Sequence, residues 1–155
     1  MAIVRTAGSE IIRSAHFKLP SAVGPHTLIL GKQHHVYTVL SIICQCSYDS
    51  PTNANDGLTI GIIGYDALAG TSAQTMHIHE GTDGSITGRD TFVWNDKFSF
   101  NGFEPTDFTG PIDSDAKQDA IADQGSSVAQ KLFATKGHTN DQWHINVTFI
   151  DQNNE

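Results

Sequence analysis

The chain has 155 residues, the size of a single domain. It carries 9 Lys+Arg against 17 Asp+Glu, a formal net charge of −8, and the charge is unevenly spread. Residues 1–36 hold Arg5, Arg13, Lys18 and Lys32 against Glu10, a net of +3, while residues 37–155 carry −11. An acidic body repels phosphates, and four dispersed basic residues do not make an RNA-packaging arm, so no nucleic-acid partner is expected. The longest apolar stretch, Val39 to Cys46, is interrupted by Ser41 and Gln45. It falls far short of the roughly 20 residues that span a bilayer, so no membrane partner is expected either. No apolar run follows Met1, so synthesis in the cytoplasm without a signal peptide is the expectation.

In chain order, residues 1–24 show no lasting period and end in Leu19-Pro20 and Gly24-Pro25. They read as an extended N-terminal arm leading into a domain at 25–155. His26–Leu30 is the first expected strand and His35–Tyr48 the second. In the second, Val36, Thr38, Leu40, Ile42, Cys44 and Cys46 share one face, with Tyr37, Val39 and Ile43 on the other. Cys44 and Cys46 are too close in sequence for an unstrained bridge and read as reduced core thiols. Gly57–Tyr65 and Gln74–Glu80 follow, the latter with Met76 and Ile78 on one face and His77 and His79 on the other. Asp90–Trp94 and Lys97–Phe103 flank Asn95-Asp96 and predict a hairpin. Asp113–Gln124 predicts a short helix capped by Asp113 or Ser114 and stopped by Gly125, with an acidic loop as the alternative. Ser127–Thr135 and Asp141–Asp151 complete the set. In the last, Trp143, Ile145, Val147 and Phe149 alternate with His144, Asn146, Thr148 and Ile150. Turn-formers such as Ser50-Pro51, Asn55-Asp56-Gly57 and Thr82-Asp83-Gly84 separate these segments. About eight antiparallel strands and one short helix in a long connection predict an all-β chain, a single jelly-roll-like β-sandwich.

Candidate chemistry is sparse. His77 and His79, at i and i+2 on a strand, project to one side and could share a metal, as in cupins, with His144 as a third ligand. The second cupin element needs a Pro-x-Gly turn before its His, and Gly137-His138-Thr139-Asn140 lacks the Pro. The three histidines read better as outward polar residues, and neither metal nor cofactor is expected. His34-His35 face opposite ways. Asp49, Asn53, Asn55 and Asp56 lack calcium-loop spacing and a closing Glu. No nucleophile elbow and no phosphate loop occur, so an enzyme is not expected. Tyr65, Phe103 and Phe108 are candidates for a carbohydrate- or receptor-binding surface, or for subunit packing.

Apolar residues also lie where a lone sandwich would not need them. Val39 and Ile43 face away from the main apolar row, Ile150 faces away from Trp143, and the arm carries Ile3, Val4, Ile11, Ile12 and Phe17. Such surface marks a partner or subunit interface. The order of features resembles small jelly-roll accessory proteins of tailed-phage virions. In these a short arm leads to a long first strand, here Tyr37-Thr38-Val39-Leu40-Ser41-Ile42-Ile43-Cys44. A Gly/Asn turn and an apolar strand follow, here Asp56-Gly57-Leu58-Thr59-Ile60-Gly61-Ile62. The chain closes on a strand such as Trp143 to Ile150 and a polar tail. The resemblance implies a capsid decoration or cement protein on the virion surface, a homo-oligomer (dimer or trimer) bound to capsid protein or a neighbouring subunit. Ile3, Val4, Arg5, Ile11, Ile12 and Arg13 would be its attachment residues. The rivals are a sugar- or receptor-binding module of a tail or fibre and a cupin-like metal enzyme.

Overall fold

The computed structural model describes residues 8–48, 57–80 and 90–154. Among the described residues eleven strands and one helix run in the order β1 (Glu10–Lys18), β2 (His26–Leu30), β3 (His35–Tyr48), β4 (Leu58–Asp66), β5 (Thr71–Glu80), β6 (Thr91–Trp94), β7 (Phe98–Asn101), β8 (Phe103–Pro105), α1 (Asp115–Asp123), β9 (Ser127–Ala129), β10 (Lys131–Lys136) and β11 (Gln142–Asn153). One sheet has the order β1-β11-β3-β6, with β7 also on β3; the second has the order β2-β10-β4-β5. Taking β6 and β7 as one interrupted strand, eight strands divide four and four between two antiparallel sheets in jelly-roll order. The short pair β8-β9 forms a third, separate sheet.

The core lies between the sheets. Trp143, Ile145, Val147 and Phe149 of β11 are all buried, as strict alternation requires, and meet Leu58, Ile60 and Ile62 of β4 and Leu132 and Ala134 of β10. Cys44 and Cys46 are both buried in this core.

Three departures from simple period-2 reading organise the rest. In β3, Ser41 stands opposite Thr148 and Val39 opposite Phe149, so Leu40 is an extra residue. This bulge switches the inward row from Tyr37 and Val39 to Ile42, Cys44 and Cys46. Val39, expected on the face away from the apolar row, is therefore fully buried core. β6 and β7 form no hairpin: both pair with β3, Trp94 opposite Ile42 and Phe98 opposite Val39, and run collinearly across the break at Asn95–Lys97. Finally, residues 10–18, expected within a free arm, are an edge strand of the first sheet. All nine pair with β11, from Glu10 opposite Gln152 to Lys18 opposite His144. Leu19 follows into the core, and its N–H donates to the Trp143 carbonyl at 2.9 Å. The arm signal failed because an edge strand needs only one apolar residue in two, and here Ala15, Phe17 and Leu19 supply it late.

The helix starts where expected: Ser114 caps it, its Oγ accepting from the Lys117 N–H at 3.4 Å, and the Lys117 ammonium sits 2.8 Å from Asp113. It stops one residue before Gly125, at Gln124, which adopts the left-handed conformation (φ 50°). Gln124 earns that strain through its contacts. Its Oε1 accepts from the His34 N–H at 2.6 Å, and its Nε2 donates to Asn101 Oδ1 and the Phe103 carbonyl. Close by, Gly31 and Gly102 let two backbone segments cross, where a Cβ on Gly102 would collide with the Lys32 backbone.

Candidate functional site

Two clips are built on buried side chains, one across the first sheet and one at the turn between β10 and β11. Asp151 of β11, nearly buried, takes His35 Nδ1 of β3 at 2.6 Å on Oδ1 and Arg13 Nε of β1 at 3.2 Å on Oδ2. One carboxylate thus joins three strands. Arg13, expected at a partner surface, is half-exposed and spends its Nε within the chain. At the other end Lys136, buried, donates from Nζ to the carbonyls of Thr139 and Asp141, both at 2.9 Å. Desolvation pulls its ammonium below the usual lysine range, with the Asp141 charge opposing.

The remaining attachment candidates divide. Ile3, Val4 and Arg5 lie outside the described residues. Ile12 is 72% exposed on the outer face of the first sheet, directly opposite Ile150; Ile11 is less exposed and stands opposite Asp151. On the same outer face Ile43 pairs with Val93, both exposed. The Ile12–Ile150 and Ile43–Val93 pairs leave apolar rungs in solvent, separated by Ser14, Asn146 and Thr148. A solvated sheet face needs none of them.

The structure does not bring His77, His79 and His144 together. His79 stands opposite Ile60 and His77 opposite Gly61, so Ile78 is an extra residue in β5. The bulge sends the two histidines to opposite faces, against the same-side expectation. His79 turns inward onto Phe92 and Trp94, with ring centroids 6.0 and 5.7 Å away. His77 remains outside, its Nδ1 3.2 Å from Glu80 Oε2. His144 lies on the other sheet, and its Nδ1 is 3.0 Å from His16 Nε2. No group of three metal-ligating side chains occurs among the described residues. The acidic turn of Asp49, Asn53, Asn55 and Asp56 lies outside them.

Sequence reasoning missed a cleft of about 480 Å³ at one mouth of the sandwich. Tyr65, Gln74, Phe100, Asn101, Glu104 and Gln130 line it. Glu104 Oε2 accepts from the Tyr65 N–H at 2.6 Å, and burial pushes the carboxyl above the ordinary glutamate range despite that bond. Four strands and a loop supply these residues, so no local spacing announces them. Of the other aromatic candidates, Phe103 is half-buried in β8, and Phe108 lies under the Lys117 ammonium, 6.0 Å from the ring centroid.

No family model and no curated protein matches the chain. Among solved structures it is similar to a chain in the structure of infectious bursal disease virus Gx strain, with 11% identity and a TM-score of 0.43 over 96% of this chain and 34% of that one. It is also similar to a chain of the T13 IBDV viral particle, with 9% identity and a TM-score of 0.36 over 96% and 36%. The present chain thus spans about a third of the length of those chains.

Proposed function

We propose that the chain is a non-enzymatic structural protein of a virion, which binds and stabilises a capsid surface as an oligomer. The observation that carries this reading is the outer face of the first sheet. In its cross-strand pairs Ile12–Ile150 and Ile43–Val93, Ile12, Ile43 and Val93 are exposed and Ile150 is half-buried, on a jelly-roll scaffold. Burying such rungs against a neighbouring subunit contributes about 25 cal/mol per Å² of apolar surface removed from water. Jelly rolls serve as capsid, lectin and cupin domains. The cupin use is disfavoured because His77 and His79 diverge and His144 lies on the other sheet. Attachment falls to the N-terminal residues Ile3, Val4 and Arg5 together with Ile11 and Ile12 of β1, and Arg13 positions β1 through Asp151.

The test is the protein composition of purified virus particles together with light scattering on the free chain. The reading expects the chain in fixed stoichiometry to capsid protein and an oligomer in solution that Ile12→Lys with Val93→Lys dissociates. Absence from particles would refute it, as would a wild-type chain that is monomeric at all concentrations. A sugar- or receptor-binding module is the second reading, favoured by the cleft around Tyr65 and Glu104. It expects glycan binding by the isolated chain that Glu104→Ala removes.

A further inference from the structure

We propose that His16 and His144 form a site for a divalent transition-metal ion that takes imidazole ligands, with Zn²⁺ as the reference ion. The strand register builds it. On the β1–β11 ladder Asn146 stands opposite His16 and Lys18 opposite His144, so the two histidines are diagonal neighbours on one face. Their rings lie 5.2 Å apart at 38°, and His16 Nε2 and His144 Nδ1 converge to 3.0 Å. Zinc holds imidazole nitrogens at about 2.0–2.1 Å with tetrahedral angles, which separates two nitrogens of one ion by about 3.3 Å. The nitrogen separation is therefore within a few tenths of an ångström of the chelating value, and rotation of the rings would aim both lone pairs at one ion, on a strand pair that fixes both backbones.

An ion seated on the solvent side would take one lone pair from His16 Nε2 and one from His144 Nδ1, each neutral ring then carrying its proton on its other nitrogen. Both residues are accessible, His16 exposed and His144 half-buried, so water can fill the other positions. Gln45 of β3, exposed and opposite His144, offers an amide oxygen. Lys18 is the charged side chain in register beside the pair and opposes the ion, which sets this site below a closed structural zinc site in affinity. Its consequence is mechanical: the ion would clamp edge strand β1 to β11 at the end of the ladder away from the Arg13–Asp151 contact.

The experiment is titration of ZnCl₂ into the full chain without a histidine tag, followed by calorimetry, with MgCl₂ as control. The chain has 8 histidines, so the variants must localise the binding. The expected result is saturable uptake of one Zn²⁺ per chain, no response to Mg²⁺, and a raised thermal midpoint. His16→Gln and His144→Gln each weaken binding tenfold or more, and His77→Gln, on the other sheet, leaves it unchanged. In wild-type protein the ring signals of His16 and His144 shift on Zn²⁺ addition, a readout that needs no variant. Absence of saturable uptake overturns the proposal. So does binding that survives in either variant, or that His77→Gln weakens equally.

Discussion

Removing residues 1–20 should unfold part of the first sheet, whereas removing residues 1–7 should leave it intact. The longer deletion strips β1 from β11, a ladder of nine paired residues, and takes Leu19 from the core. Leu19 is 5% exposed, and truncating a buried leucine costs about 2–5 kcal/mol. The Arg13–Asp151 contact goes with it, and being half-exposed on the Arg13 side it adds at most about 1 kcal/mol. A combined loss of about 2–6 kcal/mol is a large share of the 5–15 kcal/mol that holds a domain together. For a chain of this length it lowers the thermal midpoint by ~10 °C. The deletion also uncovers β11 as a new edge, so aggregation should rise. Circular dichroism melts and urea titrations of both deletions against the full chain measure this, with Leu19→Ala as a point check. A 1–20 deletion that melts within about 2 °C of the full chain would refute the reasoning. It would mean that β1 docks without stabilising the sheet.

Three further outcomes are expected. Glu104 has its carboxyl pushed up by burial, so the folded state holds a proton more tightly than the unfolded one. Stability therefore falls as pH rises from the ordinary value of 4.5 through the raised one, and Glu104→Gln should flatten that fall in melts across pH 4–8 while raising the midpoint at neutral pH. Burial pushes the Cys44 thiol up to about 12. Ellman's reagent at pH 8 should find no fast-reacting thiol at Cys44 or Cys46 in native protein and both in denaturant, and rapid native labelling would contradict the core packing. Lys136→Met leaves the Thr139 and Asp141 carbonyls without their buried donor and should cost about 2–4 kcal/mol in urea unfolding.

The carbohydrate and attachment readings use different surfaces, and this separates their variants. Glu104 and Tyr65 belong to the cleft, while Ile12 and Val93 lie on the outer face of the first sheet. Glycan binding lost with Glu104→Ala and oligomerisation lost with Ile12→Lys and Val93→Lys are therefore independent results.

The sequence by itself determined most of the strand positions and most of the core. Alternation named Trp143, Ile145, Val147 and Phe149 as buried, the Cys spacing named two core thiols, and Asp113 or Ser114 marked the helix start. These are local signals, because side-chain period and capping act within a few residues. Tertiary structure decided what crosses the chain. Single extra residues at Leu40 and Ile78 invert which neighbours face inward, and a bulge leaves no trace in a short apolar run. They moved Val39 into the core and split His77 from His79. Pairing over about 130 positions made an edge strand of Glu10–Lys18 and set His16 against His144. The basic head noted at the outset is mostly folded: Arg13 and Lys18 sit on β1, and Arg13 neutralises a buried carboxylate instead of reaching outward. Strand partners are chosen by how a whole sheet buries its apolar face, and that choice is invisible to any local window.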